Sequence, residues 1–328
     1  MSASNATLTE NARHVLNLIA PILPTPSSTS KSSASSSFPA RTPTIIGLTG
    51  LQGSGKSTWS TTLVSLLRTD YGLNAITVSL DDFYKTHDGL IALRDSNPDN
   101  RLFRTRGQPG THDEELAREF FELSRGRDGK LRIPSFDKSR FNGEGDRSGE
   151  ESWPSVKLPV DVIVFEGWCV GFQPLSEAAV RDMHEEASRQ RQSGNRGEAQ
   201  GSESEYSTQT LADHRLEHLL QLNENLKKYN DSFMGPQHFD CLIHLDTDDL
   251  RNVYTWRLDQ EDALRKRTGG QGMTEQGVIS FVRGYMPAYE LYLDQLRNGF
   301  FRQEDGKGKK QIRVCLDVDR RVVACETT

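Results

Sequence analysis

Gly50-Leu51-Gln52-Gly53-Ser54-Gly55-Lys56-Ser57 fills every position of the spacing G-x-x-x-x-G-K-[ST]. Each residue type in that spacing has a physical task. The glycines let the backbone curl until successive N–H groups point inward at phosphate oxygens. Lys56 then reaches the β- and γ-phosphates of a nucleotide, and the Ser57 hydroxyl takes a magnesium position. A helix beginning here adds the positive end of its dipole. Gly50, Gly53, Ser54, Gly55, Lys56, Ser57 and Thr58 are therefore the candidate nucleotide contacts. A Gly-rich turn with no ligand would look similar in isolation, but the flanks argue otherwise. A β-branched run, Thr44–Thr49, precedes the loop, and Thr58–Leu67 follows with Trp59, Leu63, Leu66 and Leu67 at helical spacing.

Beyond the loop, strand and helix patterns keep alternating, the mark of a parallel α/β sheet. Ala75–Leu80, the nearly all-apolar Val160–Phe165, Cys241–Leu245 and Gln311–Leu316 read as further strands. His112–Ser124, Leu211–Tyr229, Thr247–Arg267 and Thr274–Leu296 read as helices. The last carries Val278, Phe281, Tyr285, Tyr289, Tyr292 and Leu296 on one stripe. Such a stripe reads as core, with a bend at Pro287. The expectation is one three-layer α/β P-loop domain over residues 42–328, with a central parallel sheet of strand order 2-3-1-4-5.

Two regions fall outside that pattern. Residues 1–41 read as a flexible, Ser-rich segment; residues 8–20 have the pattern of a short amphipathic helix, and Pro26–Ser37 that of a linker. Residues 176–210 are polar without an apolar period and read as a disordered insertion. A hydrophobic fraction of 34% fits a chain with such solvated stretches, and a net charge of −6 argues against nucleic acid as the main partner. No apolar run is long enough to span a membrane, and no signal-peptide pattern opens the chain. The four cysteines lie far apart without metal-ligand spacing. A reducing compartment, the cytoplasm, is the expectation, and oligomeric state is not legible.

Acids end two of the strands. Asp81 and Asp82 follow the second, at the sheet edge where ligands bind. Asp81 is the candidate base for an attacking hydroxyl, Asp82 and Tyr84 candidate substrate contacts; a helix N-cap would explain an Asp here equally simply. Val162-Ile163-Val164-Phe165-Glu166-Gly167 reads as a buried strand ending in one acid; buried strands often end so, but beside a full phosphate loop the pattern makes Glu166 a candidate for the magnesium shell. Arg104, Arg106 and His112 surround a loop that suits an anionic or hydroxylated substrate, or simply a solvated loop before a helix. Asp137 and Lys138 lie in a second polar turn, which by residue type alone reads as solvated. Arg257 sits on a helix that breaks at Gly269-Gly270, a candidate lid, although Arg257–Glu261 also has the i,i+4 spacing of a surface pair.

Taken in order, GLTGLQGSGKST, SLDDFY, RGQPGTHD, PSFDKSRFNGEGDR, VFEGWCVGF, WRLDQEDALR and GMTEQGVISFVRGYMPAYELYL resemble the D-glycerate 3-kinase family and its fungal ATP-dependent kinase relatives. These belong with uridine kinase and phosphoribulokinase among P-loop kinases. The resemblance implies ATP and Mg²⁺ as cofactors and a small hydroxyl acceptor, a glycerate-like acid. It gives Lys56 and Ser57 to nucleotide and magnesium, makes Asp81 the base, and sets Glu166 at the metal. It also puts Arg106, His112, Asp137 and Lys138 on loops shaping the acceptor pocket. A regulatory or assembly P-loop protein is the rival reading, needing the cradle but no acceptor pocket. A GTPase is disfavoured because no N-K-x-D stretch occurs; His244-Leu245-Asp246-Thr247 stands after the fourth strand.

Overall fold

A strand buried along its whole length needs neighbours on both edges and layers on both faces. Val162–Gly167 is such a strand, paired along both edges and buried throughout. The computed structural model describes residues 3–25, 42–193, 205–270, 272–302 and 308–327. In chain order the elements are α1 (Ala3–Ile19), β1 (Thr44–Gly50), α2 (Lys56–Thr69), β2 (Ala75–Ser79), α3 (His87–Ser96) and α4 (Glu114–Leu123). Four short strands follow: β3 (Lys130–Arg132), β4 (Phe136–Asp137), β5 (Asp146–Arg147) and β6 (Ser155–Lys157). Then come β7 (Val162–Gly167), α5 (Glu177–Gln192), α6 (Leu216–Tyr229), β8 (Cys241–Asp246), α7 (Asn252–Thr268), α8 (Glu275–Arg283), α9 (Met286–Arg297), β9 (Lys310–Leu316) and β10 (Val322–Thr327).

The main sheet runs β10-β9-β8-β1-β7-β2. Its five parallel strands keep the order expected from the sequence. The sixth, β10, pairs antiparallel with β9 and was not anticipated. The turn that returns it, Asp317–Arg321, contains no glycine, and Arg320 adopts the left-handed conformation there at φ 62°. The usual turn signal is therefore missing from the sequence. Two small antiparallel pairs, β3–β6 and β4–β5, stand apart from this sheet. Among the described residues no helix is long and apolar enough to cross a membrane.

Three expectations need correction. The stretch read as a disordered insertion contains α5, capped by the Ser176 hydroxyl accepting from the Ala179 N–H at 3.2 Å. Val180 is buried, and Met183 and Ala187 pack on the core, a sparse helical period that the surrounding charge obscured. Residues 194–204 of that stretch lie outside the described residues. The leading segment is not all tail either. Ala12, Val15, Leu16 and Ile19 of α1 are fully or almost fully buried, Arg13 pairs with Asp70 at 3.0 Å, and Lys310 donates to the Leu18 carbonyl at 3.2 Å. Pro26–Ser37 lies outside the described residues. Finally, the expected single helix over Thr274–Leu296 is two, α8 and α9. The break falls at Gly284–Tyr285, and Pro287 sits in the first turn of α9, where a missing N–H costs nothing.

Because Leu16 is fully buried at the α1 seam, Leu16→Ala is expected to lower unfolding stability by about 2–5 kcal/mol. Urea denaturation followed by circular dichroism measures this; an unchanged midpoint would mean that α1 is not part of the cooperative unit.

Candidate active site

Strand register sets the site before any side chain is considered. β7 lies between β1 and β2, so Glu166 is level with Leu48 on one side and Ser79 on the other. All three strands run parallel, and their C-terminal ends emerge at one edge. The loop after β1, Glu166 at the end of β7 and Asp81 after β2 therefore gather there.

The loop takes the shape its glycines permit. Gly53 and Gly55 have φ of 81° and 91°, left-handed values that glycine adopts without strain. A Cβ on Gly53 would stand 2.5 Å from the Cβ of Trp256, so the start of α7 rests directly on the loop. Gly55 caps α2, and Lys56 begins it. Lys56 folds back to donate to the Gly50 and Leu51 carbonyls at 2.9 and 3.0 Å. Burial pulls its pKa down, opposed chiefly by the charges of Glu166 and Asp81. The Ser57 hydroxyl lies 3.4 Å from Glu166 Oε1. Burial raises the Glu166 pKa, with Lys56 acting the other way. Ser54 is buried with an unpartnered hydroxyl, and Thr58 is exposed and donates its N–H to the Gly55 carbonyl.

Asp81 is held from two sides. Its Oδ1 accepts from the Tyr84 hydroxyl at 2.8 Å, and Lys138 Nζ rests on its Oδ2. Burial would raise the Asp81 pKa, but the Lys138 charge and these hydrogen bonds prevail and hold it down. Tyr84 stacks on His112 with ring centroids 4.4 Å apart. The Arg106 guanidinium lies over the Tyr84 and Phe136 rings at 5.9 and 5.4 Å, and its Nη1 donates to the Gly143 and Glu144 carbonyls. Its Nε and Nη2 make no hydrogen bond among the described residues. Asp81, Tyr84, Arg106, His112 and Lys138 thus form one cluster.

His112 is fully buried in this cluster and not in open contact with a pocket. The Tyr229 oxygen accepts the N–H groups of Gly110 and His112 at 2.7 and 3.1 Å. With both lone pairs engaged, its own proton goes to His112 Nδ1, 2.9 Å away. The imidazole therefore carries its proton on Nε2, and burial pushes its pKa down to about 3, so it stays neutral.

Two expected residues are placed elsewhere. Asp137 is exposed and accepts from the Ser139 N–H and hydroxyl at 2.9 and 2.6 Å, closing its own turn. Arg257 lies beside the loop, but its guanidinium pairs with buried Glu261 at 2.9 Å and covers the Phe281 ring at 5.2 Å. The i,i+4 spacing that competed with a lid role is the contact formed. Asp82 Oδ1 accepts the Phe136 N–H at 3.4 Å, fixing the β4 strand beside the site.

Other residues of the site were missed. The Tyr289 hydroxyl accepts the Gln52 N–H at 3.1 Å, and the Tyr285 hydroxyl donates to the Arg106 carbonyl at 3.3 Å. The available signal was that this core stripe holds tyrosines, whose buried hydroxyls need partners. Arg320 donates to the Gly53 carbonyl at 2.8 Å and the Trp256 carbonyl at 2.9 Å; nothing in its local sequence announces that role.

Comparison with known proteins adds to this geometry. The model of the phosphoribulokinase/uridine kinase family matches residues 45–183. A relative in Schizosaccharomyces pombe, named "Uncharacterized kinase mug58", is 36% identical over 262 residues, which cover 79% of this chain and 84% of that protein. The chloroplastic D-glycerate 3-kinase of Arabidopsis thaliana is 35% identical over 257 residues, covering 77% of this chain and 48% of the plant protein. The solved structure of D-glycerate 3-kinase from Cryptococcus neoformans superposes with a TM-score of 0.76 at 32% identity, over 98% of this chain and 99% of that one.

Burial raises the Asp82 pKa to about 6 from an ordinary 3.8. Between those values the folded protein holds a proton that the unfolded chain has released. Asp82 therefore weakens the fold increasingly as pH rises through about 6. Asp82→Asn is expected to raise Tm relative to the parent at pH 8 and to lose that advantage at pH 4. Equal differences at both pH values in differential scanning fluorimetry would contradict this.

Proposed function

This chain belongs to the phosphoribulokinase/uridine kinase family, and on that premise we propose that it moves the γ-phosphate of ATP to a hydroxyl of a small, glycerate-like acid. The observation that carries the reading is the shared sheet edge, where the ends of β1, β7 and β2 bring Lys56, Glu166 and Asp81 into one electrostatic field. Lys56 spans the nucleotide's terminal phosphates from inside the loop. Asp81 accepts the proton of the acceptor hydroxyl as its oxygen attacks phosphorus. Tyr84 orients the Asp81 carboxylate, and the neutral His112 ring supports Tyr84 from beneath.

Arg106 favours an acid as acceptor. Two carbonyls and two aromatic faces fix its plane, and the Nε–Nη2 edge has the fork geometry that a carboxylate matches. The D-glycerate 3-kinase names of two relatives point the same way. Asp137 contributes by shaping the turn that carries Lys138.

Magnesium fits the residues present. Among the described residues no group of three or more His, Cys, Asp or Glu is placed to hold a metal ion alone. Mg²⁺ in such sites takes only one or two protein oxygens, the rest coming from phosphate and water. The Ser57 hydroxyl and Glu166 carboxylate would hold it, and it would supply positive charge to the phosphate oxygens. The Arg257 guanidinium is tied within α7 to Glu261; a lid role requires that pair to part. The cytoplasm is the compartment that best suits a chain whose four cysteines are all free.

Lys56→Ala is expected to abolish turnover with the fold intact, and Asp81→Asn to lower kcat by roughly 10²–10⁴-fold. A coupled ADP-release screen over glycerate, pantothenate, nucleosides and sugar acids tests the acceptor. Stimulation by a hydroxy acid supports the reading. ADP release that no hydroxylated metabolite stimulates would favour a nucleotide-dependent regulatory protein.

A further inference from the structure

A kinase of this kind faces a competitor that no pocket can exclude by size. Water reaches any site open to a three-carbon acid, and a base poised beside the γ-phosphate would activate it as readily as an alcohol. The arrangement around Asp81 bears on this. Tyr84 occupies Oδ1, and Lys138 covers Oδ2. Lys138 is not a buried fixture. Its side chain is 55% exposed against 29% for Asp81, and the ammonium's one hydrogen bond among the described residues goes to that carboxylate. It projects from the turn joining β4 to β5, where Phe141, Asn142, Gly143 and Gly145 all have positive φ.

We propose that Lys138 locks the Asp81 base against water and is drawn off it by the carboxylate of the acceptor, so that the base is released only when an acid occupies the site. This rests on the acceptor reading above and deepens it. A compact ammonium on a four-carbon stem exchanges one anion for another with little rearrangement. An acceptor that brings a carboxylate to Arg106 offers Lys138 such an anion, whereas water offers none. With Oδ2 released, the acceptor hydroxyl gives its proton to Asp81 while its oxygen bonds to the γ-phosphorus. The bond from that phosphorus to the β–γ bridging oxygen breaks, and its electron pair leaves with ADP. In hydrolysis water takes the acceptor's place, and inorganic phosphate is the product. Lys138 thereby acts as a specificity-determining residue that makes turnover conditional on an anionic alcohol.

The test is Lys138→Met, which keeps the stem and removes the charge, with inorganic phosphate measured without acceptor. Since a positioned base contributes roughly 100-fold or more, phosphate release is expected to rise at least about tenfold over the parent. Acceptor phosphorylation should fall. The double variant Asp81→Asn/Lys138→Met should lose the gain. Propionate, an acid without a hydroxyl, should stimulate hydrolysis by the parent and leave Lys138→Met unchanged. Flat hydrolysis in Lys138→Met, or an equal propionate response in both proteins, overturns the proposal. The two readings fail separately. If the variant hydrolyses faster but the parent phosphorylates no hydroxy acid, the acceptor assignment falls and the lock stands. If glycerate is phosphorylated but the variant's hydrolysis stays flat, the reverse holds.

Discussion

The register of β7 between β1 and β2 is the constraint from which the site follows. A parallel ladder fixes which residues lie level, and a slip of one position turns every side chain to the opposite face. Here Glu166 is level with both Leu48 and Ser79. A slip would carry Glu166 away from Ser57 and bury a carboxylate without a partner, which is strongly unfavourable. The six residues of β7 are all buried, so the apolar run that packs the core also enforces the alignment of the charges at its end. Packing and chemistry are one specification at this strand.

What the sequence disclosed, and what it withheld, follows from range. The loop Gly50–Ser57 is legible because its function depends on backbone conformation, which local residue types dictate. The five parallel strands were visible as apolar runs, and Asp81 and Glu166 by their place at strand ends. Arg257 carried two readings, and the short-range pair with Glu261 is the contact made. Contacts made across hundreds of positions left little local trace. The Tyr289 hydroxyl meets the loop backbone at Gln52, and a stripe of aromatic residues reads as core whether or not its hydroxyls serve a site. α5 was obscured for another reason: a helix needs only three or four buried positions, which composition averaged over a polar stretch conceals, whereas the helical pattern of residues 8–20 was visible and only its packing on the core was not.

Buried hydroxyls organise the wall beneath the proposed base. Tyr229 saturates its oxygen with two backbone N–H groups and spends its proton on His112. Burial pushes the imidazole pKa down to about 3, so the support under Tyr84 is uncharged near neutral pH. A charged ring there would compete with Lys138 for the same carboxylate. One neutral ring and one mobile cation thus divide the work of holding and releasing Asp81.

Arg320 joins the Gly53 carbonyl to the Trp256 carbonyl across a separation of 267 and 64 residues respectively. The loop Gly50–Ser57 thus takes one of its backbone partners from the turn between β9 and β10, far along the chain. A chain lacking residue 320 would lose the guanidinium that ties Gly53 to Trp256, leaving the cradle less firmly held against α7.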